Sequence, residues 1–531
     1  MADLPSISTD AILADIRKLS SDEFEGRAPG SKGEQLTVQY LTDQFKAAGL
    51  EPGNPDGSWI QKVPLVGLKP AAQGPFVVKK GTQTRNFKTR DEVVVFSKHV
   101  TAEVKLDNSE LVFAGYGVQA PELMWDDFAG MDVKGKTIIV LVNDPPVTKA
   151  DGTLDDKVFG GKAMTYYGRW TYKHDKAAEL GADGVFVVHE TIPAGYPFSV
   201  VQGMGETENF DLVTPDKNTG RAKIEGWMSV EAATALLKMA GQDYQKLKAQ
   251  AATRDFKPVA LGMTASVALN QQINTVESQN VIAKLSGSDP AVKDENVIYT
   301  AHWDHLGVGE PVKGDAIYNG AVDNASGVAM VLEIAREMTK LKIKPKRSVL
   351  FLLVTAEEQG LLGSQYYSEF PLYPLAKTLA NINIDGVNQW GRTKDLTLIG
   401  LGASDLDDYA REAAAEQGRV IAPDAEPEKG FYYRSDHFNF AKKGIPALDP
   451  DSGIDYIGKP AEYGKTKREE YTTNNYHAPS DDVKNDWDLA GAAEDARLFL
   501  AVGYRIAQAE KMPEWKPGNE FKSIRDKSLG R

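Results

Sequence analysis

Two histidines and a set of carboxylates stand in this chain where a metal centre would need them. His302 lies in Ala301-His302-Trp303-Asp304-His305, Glu357 and Glu358 follow Thr355-Ala356, and Asp385 ends Asn383-Ile384-Asp385. Asp323 lies in Ala321-Val322-Asp323-Asn324-Ala325-Ser326-Gly327, and His477 in Tyr476-His477-Ala478-Pro479-Ser480-Asp481-Asp482. Two imidazoles and three carboxylates suffice for two zinc-like ions that share one carboxylate. Such ions repel each other, so a carboxylate between them is required, and Asp323 is the candidate. When bound they bring the pKa of water from about 16 toward about 7 and so supply a nucleophile at neutral pH. Amide hydrolysis also needs a base that passes a proton to the leaving amine; only one of Glu357 and Glu358 need bind metal, and the other can be that base. Asp304 is placed to accept the second N–H of His302 and fix its tautomer.

These residues fall where strands end. Asn296–Thr300, Ser348–Val354 and Leu379–Ile384 are apolar runs of strand length, and each leads directly into one of the motifs. Val328, Val331, Leu332, Ala335 and Met338 mark a helix between the first two, and further helical periodicity covers residues 405–417 and 488–510. Strand alternating with helix predicts an α/β fold, a mostly parallel or mixed sheet sandwiched by helices, with its site at the strand ends. Two helices occupy the first fifty residues, separated by the turn-rich Gly26-Arg27-Ala28-Pro29-Gly30-Ser31. The character changes between 105 and 262, where the apolar run Lys136–Val142 and the helix, glycine stop and strand of 176–188 read as a separate, smaller α/β module. The charged segment from Glu510 to Arg531 reads as a solvated extension.

Composition removes other classes. With 61 Lys and Arg against 75 Asp and Glu, a net charge of −14 and no basic strip, nucleic acid is not an expected partner. There are no cysteines, so disulfides, thiolate metal sites and thiol nucleophiles drop out together. No apolar run reaches the length of a membrane span. Met1-Ala2-Asp3-Leu4-Pro5 shows no basic stretch before an apolar core, so no signal peptide is legible.

Taken in order, Ala301–Gly307, Val322–Gly327, Thr355–Ser364, Asn383–Asp385 and Tyr476-His477 resemble family M28 metallopeptidases, the di-zinc aminopeptidases and glutamate-carboxypeptidase-like enzymes. Glu23–Ser31 and Arg434-Ser435-Asp436-His437 resemble that family as well, and residues 105–262 are similar to the protease-associated domain often inserted in such peptidases. The resemblance implies a discontinuous peptidase domain, 1–104 with 263–531, interrupted by that insertion. It implies two zinc ions, one on His302 and Asp385, the other on Glu358 and His477, with Asp323 shared. It further implies Glu357 as general base, Tyr476 as a donor to the oxyanion, and a cis peptide at Asp323–Asn324. Arg434 is a candidate for substrate binding. Gly386 departs from relatives that carry a larger residue, often Met, after the ligand Asp.

The expected function is therefore a di-zinc exopeptidase acting on peptides, an aminopeptidase first. A carboxypeptidase or other amide hydrolase with the same metals is the rival within enzymes, and a binding scaffold is the rival outside them; the retained ligands plus Glu357 argue against the scaffold. The resemblance implies a periplasmic or secreted location. Side-chain preference and oligomeric state are not legible.

Overall fold

The computed structural model describes residues 4–205 and 207–531, so Met1–Asp3, read above for a leader, lie outside it. The chain forms two compact units: residues 1–64, 276–425 and 434–531 make one, and residues 65–275 with 426–433 the other.

The first unit is built on a mixed sheet with a parallel centre. Asn296–His302 pairs in parallel with Ser348–Val354 on one side, His302 opposite Val354, and with Thr378–Asn383 on the other. Thr378–Asn383 continues in parallel to Ala447–Asp451, which runs antiparallel to Asp395–Ile399. Residues 281–285, the end of the long strand Val259–Leu285, close the far side of Ser348–Val354 antiparallel. Side chains alternate between faces along each strand, which divides the apolar residues into two cores. Val297, Tyr299, Val349, Phe351 and Leu353 face one core with Ile12, Ile16, Phe45, Leu332 and Phe499 from the helices. Ile298, Leu350, Leu352 and Val354 face the other with Tyr367 and Phe440. The helices on the first face are Thr9–Leu19, Lys32–Ala47, Gly327–Thr339, Leu406–Glu416 and Ala490–Gln508. Ser8 and Ser31 cap the first two, accepting from Ala11 N and Glu34 N.

The second unit is wider than the module expected over 105–262. Its centre is the parallel set Thr137–Leu141, Gly184–His189 and Ile224–Ser229. Val93–Phe96 joins that set antiparallel to Ile224–Ser229, and Phe76–Lys80 pairs with residues 264–266. The strands before residue 105 are thus recruited by partners far along the chain, and local composition carries no mark of such pairings.

The C-terminal segment is docked, which corrects the expected solvated extension. Trp515, Phe521 and Arg525 are buried, Trp515 Nε1 donates to Gly444 O at 2.8 Å, and Arg525 donates to Thr378 O at 2.8 Å. Two aromatic anchors in a strongly charged stretch outweigh the average polarity that the expectation rested on. No helix among the described residues is long and apolar enough to cross a membrane.

Candidate metal centre and active site

His302, Glu357, Glu358 and Asp385 arrive at the carboxyl ends of the central strands, where a parallel sheet places its site. His302 is the last residue of its strand, Glu357 and Glu358 follow Ser348–Val354 after Ala356 turns the chain through a positive φ of 52°, and Asp385 lies two residues beyond Thr378–Asn383. Asp323 sits in an irregular turn before helix Gly327–Thr339, and the Asp323–Asn324 peptide is cis. His477 lies in the loop after helix Tyr463–Asn474, at a positive φ of 55°.

The two carboxylate oxygens of Asp323 face different histidines. Oδ1 is 3.2 Å from His302 Nε2, and Oδ2 is 3.1 Å from His477 Nε2. His302 Nε2 is also 3.1 Å from Asp385 Oδ1, and His477 Nε2 is 3.1 Å from Glu358 Oε2. His302, Asp323 and Glu358, and separately His302, Glu357 and Asp385, group closely enough to hold an ion. Two ligand atoms each about 2.0–2.1 Å from one tetrahedral ion lie roughly 3.3 Å apart, so the observed spacings fit a metal centre. Burial disfavours a charged imidazole at both histidines, yet the carboxylates outweigh it. His477 is raised to about 10, and His302 also moves well up. A cluster that draws positive charge this strongly, with nitrogen and oxygen donors only, fits divalent zinc-like ions.

Glu357 and Glu358 are adjacent and differently committed. Glu358 has one oxygen 2.6 Å from His305 Nδ1 and the other at His477, whereas Glu357 Oε2 is 4.0 Å from His302 Nε2. Burial is the first cause raising the Glu357 carboxyl well above its ordinary value, with Asp385, Glu358 and Asp436 adding to it against the pull of His302. A carboxylate with raised basicity that is not pinned by an imidazole is suited to proton transfer.

The expectation for Asp304 needs correction. Its carboxylate lies 3.8 Å from His302 Nδ1, too far for a hydrogen bond, and the contact to that nitrogen at 3.1 Å is made by its main-chain oxygen. The carboxylate turns instead to the glutamate loop, accepting from Glu357 N at 3.0 Å and Glu358 N at 3.3 Å. Two free amides at a tight turn draw an acceptor more strongly than one imidazole N–H already served by a carbonyl.

Several residues with no assigned role in the sequence reading serve the site. His305 holds Glu358 as above, and Ser435 Oγ donates to Asp385 Oδ2 at 2.7 Å. Asn324 donates to Ile384 O at 3.0 Å and accepts from Gly386 N at 2.9 Å, which fixes the turn carrying Asp385. Gly386 adopts a φ of +88°, so the backbone here is strained for the larger side chain expected from relatives. The Tyr476 ring stacks on His477 at 3.9 Å and is 49% exposed. Arg434 is half-buried and immediately precedes Ser435.

The chain is similar to several known proteins. The chain is 28% identical over 282 residues to a probable leucine aminopeptidase of Arthroderma otae, covering 49% of this chain and 68% of that one. It is 27% identical over 251 residues to leupeptin-inactivating enzyme 1 of Streptomyces exfoliatus, covering 46% and 52%. An aminopeptidase structure from Aneurinibacillus sp. strain AM-1 shares the fold at a TM-score of 0.51 and 20% identity, with 96% of each chain covered. The sequence profile of peptidase family M28 matches residues 280–501. That span holds every candidate metal-centre residue from His302 to His477, so this part of the chain is similar to peptidase family M28.

Proposed function

We propose that this protein is a two-zinc aminopeptidase. The observation that carries the reading is the double-faced Asp323, one oxygen at each histidine, with a further carboxylate beside each imidazole. One ion would be held by His302 and Asp385, the other by Glu358 and His477, with Asp323 shared. When bound, the ions supply Lewis acidity and a water of lowered pKa. Glu357 takes a proton from the attacking water and returns it to the departing amine. Tyr476, exposed beside His477, offers its hydroxyl to the developing oxyanion. Arg434 contacts the substrate main chain.

Attack from the N-terminal end is the direction we infer. Relatives named as aminopeptidases agree with that direction. We read the second unit as a protease-associated insertion that governs substrate access. We also infer that the enzyme works outside the cytoplasm, where a chain without cysteine is indifferent to oxidising conditions; recovery in the cytosolic fraction of its own cell would refute that location.

The test is one short peptide in three forms, free at both ends, N-acetylated and C-amidated, incubated with zinc-loaded protein with and without chelator. Chelator-sensitive stepwise loss of N-terminal residues, blocked by acetylation alone, is the expected result. Cleavage blocked only by amidation would make it a carboxypeptidase, and no cleavage of any form would overturn the peptidase reading.

A further inference from the structure

Arg27, in the Glu25-Gly26-Arg27-Ala28-Pro29 segment, is 1% exposed and forms no ion pair with a described carboxylate. Its donors go to main-chain carbonyls instead. Nε donates to Trp303 O at 2.8 Å, one terminal nitrogen to Leu19 O at 2.8 Å and Asn319 O at 2.6 Å, and the other to Gly320 O at 2.9 Å. Its own carbonyl accepts from His305 N at 3.4 Å. One guanidinium therefore ties the end of helix Thr9–Leu19 to two segments beside proposed ligands, 303–305 after His302 and 319–320 before Asp323.

The next residues of the second loop are held by a buried carboxylate. Asp481, 1% exposed, accepts from Val322 N at 3.1 Å and from Asp323 N at 3.1 Å, its main-chain oxygen accepts from Ala321 N at 3.0 Å, and Tyr471 donates to it at 3.3 Å. Segment 319–323 is thus gripped by a cation through its carbonyls and by an anion through its amides, and it ends in Asp323. The segment packs tightly at Gly26, where a Cβ would meet Tyr318 O at 2.5 Å and Gly307 O at 2.6 Å.

Burying a guanidinium and a carboxylate without pairing them is expensive. Neutral donors and acceptors would satisfy the same carbonyls and amides at lower cost if closing a turn were the only requirement. The charges that answer Arg27 through space are Asp304, Asp481, Asp323 and Glu358, the acids of the site itself.

We propose that Arg27 and Asp481 are positioning residues that together set the Asp323 carboxylate between His302 and His477, the first through the carbonyls of 319–320 and the second through the amides of 322–323. The inference rests on the reading of Asp323 as the shared ligand. Partners that orient ligands from behind commonly change metal affinity or activity by about 10–100-fold when replaced.

The experiment uses the full chain with Arg27→Lys and Asp481→Asn, which keep size and, for the lysine, charge. Three assays are run well below each variant's Tm: zinc affinity by chelator competition, the visible spectrum of the cobalt-loaded protein, and steady-state kinetics giving kcat and KM on an amino-acid p-nitroanilide. Each variant is expected to hold zinc about 10-fold or more weakly, to show an altered cobalt spectrum, and to lose kcat about 10-fold or more with KM within about twofold. Wild-type affinity, spectrum and kcat in a variant whose Tm has dropped would make the residue a plain stabiliser and overturn the inference. A wild-type chain that binds no zinc pair would overturn the two-metal reading itself, and that result is seen before any variant is made.

Discussion

Glu357→Gln separates the roles of the two adjacent glutamates. The amide is nearly isosteric, so it keeps the packing of a side chain only 12% exposed, and the hydrogen bond from residue 357 N to Asp304 is untouched because it is a main-chain contact. What disappears is the ability to accept a proton. A positioned acid–base group contributes about 10²–10⁴ in rate, so kcat should fall by that factor, equivalent to about 2.7–5.5 kcal/mol of activation free energy. Zinc content should not change, because Glu357 Oε2 stands 4.0 Å from His302 while the four contacts described around the two histidines are 3.1–3.2 Å. Glu358→Gln should do the opposite first: its carboxylate meets both His477 and His305, so the variant should lose about one zinc per chain and activity with it. The assay is metal content by elemental analysis beside kcat on a p-nitroanilide for both variants. Loss of a zinc by Glu357→Gln, or a kcat within about threefold of the wild type in a zinc-replete sample, would refute the division.

Arg434→Ala should raise KM several-fold with kcat nearly unchanged if the side chain grips substrate, and steady-state kinetics on a tripeptide checks this. In the second unit, burial would raise the Glu225 carboxyl, but Arg221 at 2.9 Å and His174 at 2.9 Å outweigh it and hold it well below the ordinary value. A depressed carboxyl contributes stability above its unfolded value, near pH 4.5, and loses it as pH falls further. Urea unfolding should show that loss below pH 4.5, and Glu225→Gln should cost about 3–5 kcal/mol at pH 7 with a shallower acid slope. Removing residues 510–531 should cost about 3–6 kcal/mol, at about 1.5–3 kcal/mol for each of the buried rings of Trp515 and Phe521, and an unchanged Tm would refute their anchoring role.

Three of the proposed ligands, His302, Glu358 and Asp385, were legible because each sits in a short motif at the end of an apolar strand, and both halves of that signal are local. His302, Glu358 and Asp385 follow their strands within a few residues, so strand recognition already placed them on one edge. Contacts between segments far apart in sequence were not legible. Nothing near Arg27 announces that its guanidinium reaches carbonyls at 303, 319 and 320, or that Asp481 serves the amides of 322 and 323. The Asp304 error has the same origin, since its two glutamate amides lie 53 and 54 residues away. The edges of the second unit were misplaced because strand Val93–Phe96 looks the same whether it pairs with a neighbour or with Ile224–Ser229.

The spread of these contacts along the chain sets an order of events during synthesis. Arg27 leaves the ribosome well before Trp303, Asn319 and Gly320, and residues 65–275 are made in between. His477 and Asp481 emerge later still, and until they do Asp323 has neither its second imidazole nor the acceptor for its amide. A nascent or prematurely ended chain therefore carries an incomplete centre, and competence arrives only once His477 and Asp481 have been made.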